Sequence, residues 1–188
     1  QDEPDVILWG SYYYQINIDG ERIGTVRIGP TSKEAFFKVQ ESDEPLIITQ
    51  PTTMYRRDIA LQVGGYDEQL QAAQELELWD RMTQHGPAVV LPEPLLLYRL
   101  HGSSISSKKF FEQWLIHTYV KERKLARREG KVLLLKDFRN HYHSQPRLNR
   151  LLRYINTRGR FQYRNAGVLL SEGNRLQAII SMGAAAIC

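Results

Sequence analysis

From residue 5 to residue 18 the chain alternates, with Val6, Leu8, Tyr12, Tyr14, Ile16 and Ile18 on one parity. Residues two apart share one face of a strand, so this run predicts a half-buried β-strand. Asp19-Gly20 predicts a turn and residues 21–26 a returning strand, which together make a hairpin. Gly29-Pro30 closes that run. Thr31 or Ser32 is placed to cap a helix over 33–40, whose apolar face is Ala35, Phe36 and Val39. Residues 46–55 read as a strand interrupted at Pro51, which has no amide to give to a ladder and so implies an edge or a bulge. A short helix from Asp58 ends at Gly64-Gly65, a pair suited to a C-terminal cap. A helix over 75–85 carries Leu78 and Met82 one turn apart and stops at Gly86-Pro87. Residues 88–91 and 95–100 read as strands separated by Pro92 and Pro94.

Beyond residue 107 the period changes to that of helices. Phe111, Trp114, Leu115, Thr118 and Leu125 fit one helical face, and Leu148, Leu151, Leu152 and Ile155 fit another. Residues 165–187 predict a helix pair bent at Glu172-Gly173. The expected fold class is therefore α/β: a mixed sheet with flanking helices over 1–107, then a basic helical region over 108–188. No internal repeat is evident.

The 188 residues suffice for one core and a helical appendage. Charge sharpens the division. Residues 1–107 hold 8 Lys and Arg against 16 Asp and Glu, and residues 108–164 hold 16 against 4. An acidic front and a basic back suggest regions with different partners: nucleic acid or an anionic membrane for the back, or plain solvent. The single cysteine, Cys188, excludes a disulfide framework within the chain and suits a reducing compartment. Residues 1–5 look like the middle of a loop, so the chain is expected to be a piece of a longer protein. No apolar run of about eighteen residues is present, so no transmembrane helix is expected.

Candidate chemistry gathers in residues 64–106. Asp67, Glu68, Glu75 and Glu77 cluster in sequence, but on a helix Glu75 and Glu77 point about 200° apart. Glu75 shares its side with Leu78, Trp79 and Met82, at the head of the buried stripe. Glu77 points away, and its replacement is expected to do little. The plainer reading is that acids in a first turn complement the helix dipole. Arg99 and His101 leave the same face of a strand end beside the loop 102–104. Arg suits a diphosphate, and His suits a divalent metal or a phosphate oxygen. His141 and His143 would form a metal pair on a strand, and would be solvated surface on a helix. No Gly-rich phosphate loop, His-Glu-x-x-His or cysteine pair for zinc is present.

Four segments in order resemble the family 2 glycosyltransferases. These are DVILWGSYYYQINIDGERIG, QPTTMYRRDIALQVGGYDE, QELELWDRM and LPEPLLLYRLHGSSIS, and the likeness covers about residues 4 to 107. The resemblance implies the GT-A fold and an inverting transfer from a nucleotide-diphospho-sugar to a glycan or lipid-linked acceptor. It places Glu75 on the catalytic base, and Trp79 with Gly65, Tyr66, Asp67 and Glu68 on the walls of the acceptor site. Arg99 falls near the donor diphosphate, and His101 near its divalent metal, Mn or Mg. The position of Glu75 usually carries Asp. No Asp-x-Asp pair and no opening strand-helix units have a counterpart here. What the resemblance implies is thus an acceptor-side half, inactive alone, from a cytoplasmic enzyme peripheral to the membrane. The rival expectation is a binding module whose basic helices contact nucleic acid or a regulatory partner.

Overall fold

The structure is a computed structural model that describes residues 3–102 and 104–187. Its centre is β1 (Leu8–Ile16), and every other strand pairs with it. Along one edge runs β4 (Ala88–Arg99), parallel, from Leu8 opposite Ala88 to Ile16 opposite Arg99. Along the other edge lie two antiparallel strands end to end. The short β3 (Met54–Tyr55) faces Leu8 and Trp9, and β2 (Arg22–Val26) faces Tyr13 to Ile16.

The hairpin forms as expected. Gly20 takes a left-handed φ of 89°, and the Asn17 side-chain oxygen accepts from the amides of Asp19 and Glu21. The expected parity holds only to a degree. Leu8 and Ile16 are buried, but so are Ile7 and Tyr13 from the opposite parity, while Ile18 is exposed. The cause is position: β1 is central and covered on both faces, so alternation does not mark one wet side. Residues 88–91 and 95–100 prove to be one strand with shifted register opposite Tyr12, where Pro92 and Pro94 fall. Within the sheet β4 pairs with β1 alone, so its outer side tolerates residues without an amide hydrogen. The strand expected over 46–55 is mostly irregular. Pro51 opens a 3-10 turn (Gln50–Thr52), which leaves β3 as the paired remnant.

On one face of the sheet, α1 (Lys33–Glu41), α2 (Arg57–Gln62) and α3 (Gln74–Met82) close a core around Leu8, Phe36, Ile48, Leu78, Trp79 and Val90. Ser32 caps α1 by accepting from the Ala35 amide. Gly64 and Gly65, both at positive φ, end α2, with the Gly65 amide donating to the Ala60 carbonyl.

A second core joins the front to the back. Leu70, Ala73 and Leu76 pack with Ile116, Tyr119 and Val120 of α5 (Phe110–Arg128) and with Leu135 and Phe138 of α6 (Leu135–Ser144). The face expected for α5 is therefore displaced, since Phe111 is exposed while Ile116 and Val120 are wholly buried. A short helix, α4 (Ile105–Lys108), precedes α5. The long α7 (Arg147–Ser171) pairs with α8 (Arg175–Ile187) as a hairpin through Glu172-Gly173-Asn174. Leu148, Leu151 and Leu152, expected to face a core, stand exposed on the first turns of α7. Ser103 and Cys188 lie outside the described residues.

Candidate functional site

Three acids of α3 decide the electrostatics of this region. Glu77 is 3% exposed and Asp80 is 6% exposed, and a carboxylate that dry must be paired. Arginines do so. Arg81 donates to both Glu77 oxygens at 2.8 and 2.5 Å, and Arg123 of α5 donates to Glu77 at 2.5 Å and to Asp80 at 2.6 Å. Arg127 adds a 2.6 Å bond to Asp80. Burial works against the Arg123 charge, yet Asp80 and Glu77 outweigh it and hold the guanidinium above its usual proton affinity. Glu77 is thus a buried structural group held by arginines, and not an exposed acid that merely complements the helix dipole.

Glu75 differs. It enters no ion pair or hydrogen bond among the described residues, is half-buried, and lines a cavity of about 1040 Å³. The cavity lies between the far face of β1 and the helices of the back. Tyr13 and Tyr98 line it from the sheet, Gln50 and Gln74 from the 3-10 turn and the start of α3, and Gln113, Trp114, His117 and Arg164 from the helices of the back. Glu75 is the one carboxylate among its described lining residues. Trp114 stacks on His117 with centroids 4.9 Å apart and planes 6° apart, and Arg160 covers Trp114 at 4.4 Å. Burial lowers the proton affinity of His117, with Glu44 opposing and Lys121 and Arg160 reinforcing, so the imidazole is held neutral near pH 7. Burial also lowers the Arg164 proton affinity, while Tyr98 and Tyr13 raise it.

The cavity wall has an unusual backbone. Ala73, at the N-cap of α3, adopts a left-handed φ of 53° that non-glycine residues seldom take. Nothing in the residue type signals this. The strain sits two residues before Glu75 and sets the angle at which α3 enters the cavity.

The other expected site residues scatter around this centre. Trp79 is fully buried and cannot wall a ligand. Its indole nitrogen donates to the Ile48 carbonyl at 3.3 Å, and its ring meets Tyr55 edge-on, so it supports the wall segment 47–51 from behind. Gly65 accepts from Arg81 at 2.6 Å, and Asp67 accepts from the Gln69 amide at 2.9 Å. Glu68 is exposed. The Tyr66 hydroxyl accepts from Gln50, a lining residue, at 3.0 Å. Of the loop 65–68, Tyr66 alone therefore reaches a cavity side chain directly. Arg99 donates to the Asn17 and Ile18 carbonyls at 2.8 and 2.6 Å, which fastens the hairpin to the end of β4. Tyr98 and Leu100, on the alternate parity, face the cavity, whereas Arg99 and His101 do not line it. Among the described residues no three His, Cys, Asp or Glu side chains converge as metal ligands. His141 and His143 both fall on α6, where residues two apart diverge, so the strand placement that would pair them is not found.

Trp114, His117 and Arg164 were legible only as members of a basic, aromatic stretch, since their convergence depends on how α5 and α7 cross the sheet. No family model and no curated protein matches the chain.

Proposed function

We propose that this chain is the acceptor side of an inverting glycosyltransferase, with Glu75 as general base. One observation carries the reading. Of the three acids on α3, two are neutralised by arginines and the third has no partner among the described residues and stands on the wall of a large cavity lined by carboxamides and aromatic rings. Carboxamides and ring faces are the groups that bind hydroxyl-rich ligands. An acceptor hydroxyl beside Glu75 gives its proton to the carboxylate as its oxygen attacks the anomeric carbon of the donor. The bond from that carbon to the phosphate oxygen breaks, and the nucleoside diphosphate leaves with the electron pair. One displacement inverts the centre. Arg164, the lining guanidinium, is the group of this chain suited to the departing phosphate charge.

Two measurements test this. Saccharide titration of the chain, followed by the fluorescence of Trp114, should show saturable binding that Trp114→Phe silences and Gln113→Ala weakens. In a form extended upstream with a donor-binding half, Glu75→Gln should lower turnover by roughly 10²–10⁴-fold and leave donor affinity unchanged. A turnover indifferent to Glu75→Gln would remove the base assignment.

A further inference from the structure

A second concave site lies on the opposite flank of α5, where α5, α6 and α7 meet around a groove of about 750 Å³. Its rim is cationic. Arg139, Arg147 and Arg150 face it and form no ion pair among the described residues, against one lining acid, Glu112. This contrasts with residues 121–128, whose five cations are all engaged with the front of the molecule. Three cations of the back, Arg139, Arg147 and Arg150, are thus gathered on this groove without such partners among the described residues.

Beside the rim, Leu148, Leu151 and Leu152 are 64%, 53% and 56% exposed, and at spacings of three and four they form one stripe of α7. A basic rim alongside an exposed leucine stripe is the pattern of a helix that lies in a lipid interface. Aromatic rings in the groove are already occupied. Arg153 covers Tyr142 at 3.4 Å, and Tyr154 stacks on Phe111 with planes 18° apart. One face of Tyr142 is thus taken by a guanidinium and one face each of Phe111 and Tyr154 by the other ring, while Arg139, Arg147 and Arg150 remain open to phosphate.

The geometry points to an anionic lipid surface as the occupant. Lipid phosphates sit against Arg139, Arg147 and Arg150, and Leu148, Leu151 and Leu152 enter the boundary of the acyl chains. This site is separate from the Glu75 cavity, and its test does not involve that cavity.

Flotation with phosphatidylcholine vesicles, with and without phosphatidylglycerol, tests it. The chain should float with the anionic vesicles and not with the neutral ones. The pair Arg147→Gln/Arg150→Gln should weaken partitioning about thirtyfold, since each arginine at such a surface contributes on the order of 1 kcal/mol. The pair Arg27→Gln/Arg57→Gln removes the same charge from the front and should change nothing. Leu151→Gln should weaken binding without changing the charge of the rim, and far-ultraviolet melting of each variant checks that it is folded. No flotation with anionic vesicles, equal loss in the front pair, or unchanged binding in Leu151→Gln would overturn the proposal. So would retention of a single-stranded oligonucleotide, abolished by Arg147→Gln/Arg150→Gln, in the absence of vesicle binding.

Discussion

Glu75 and Glu77 stand two residues apart on α3 and meet different surroundings, one a cavity and the other two arginines. Glu77→Ala leaves Arg123 and Arg81 facing a dry gap, and breaking a buried pair on one side costs on the order of 3–5 kcal/mol. Glu75→Gln removes a half-exposed, unpaired carboxylate and should stay within about 0.5 kcal/mol of the parent. Urea midpoints of the two variants would separate these cases, and equal shifts would mean that the α3 phase is misassigned. The helical phase of the two acids is legible from their spacing. That Glu77 is buried is not, because its partner Arg123 lies 46 residues away on an element whose docking the sequence leaves open. His117 adds a pH dependence. Burial against Trp114 holds its proton affinity below the free value of 6.5. Below about pH 6.5 the unfolded chain therefore binds more protons than the folded one, and stability falls as the pH drops through that window. Above it the contribution is fully present. His117→Gln should flatten the fall in stability below about pH 6.5 in denaturant titrations, relative to the parent.

At the scale of elements, the hairpin, the caps and the α3 stripe are written locally, in Asp19-Gly20, Ser32, Gly64-Gly65 and the Leu78/Met82 pair. Such features need only neighbours in sequence. What escapes is what depends on distant cover. The parity of β1 is blurred because Tyr13 is roofed by the back, and the apolar face of α5 turns toward Ile116 and Val120 because Leu70 and Leu76 wait there. Close packing between elements also shows at one glycine. Gly29 has a φ of 99°, and a Cβ there would come within 2.5 Å of Val90 Cγ2. Gly29→Ala combines backbone strain with overpacking where the chain enters α1, and should cost on the order of 2–4 kcal/mol. Gly20→Ala has a similar φ but open space around it, and should cost only about 1 kcal/mol. Thermal melts of the two variants compare strain with and without crowding.

For the whole molecule, the charge division that suggested two regions with two sets of partners is in part an internal interface. Lys124 and Arg128 donate to the carbonyls that end α1, at 2.6 Å to Val39 and 2.8 Å to Gln40, while Arg123 and Arg127 serve α3. Cations on carbonyls at a helix C-terminus complete its bonding and oppose its dipole. Residues 1–107 expressed alone should therefore lack a cooperative melt, because Leu70 and Leu76 lose their cover and Glu77 and Asp80 their counterions. A near-ultraviolet spectrum like that of the full chain would refute this. The same architecture governs the order of events in time. β1 emerges from synthesis before β4, yet the strand that runs its full length begins at Ala88, opposite Leu8. At roughly 5–20 residues per second, β1 waits about 4–16 s for that partner. Through that interval the most β-prone segment of the chain, rich in tyrosine, has a bare edge, and a long-range parallel pairing is slow to close even once its partner exists. The nascent chain is thus a client for holding chaperones before it is a folded protein. Its yield on expression should respond to translation speed between residues 17 and 88 more than to the stability of the finished fold.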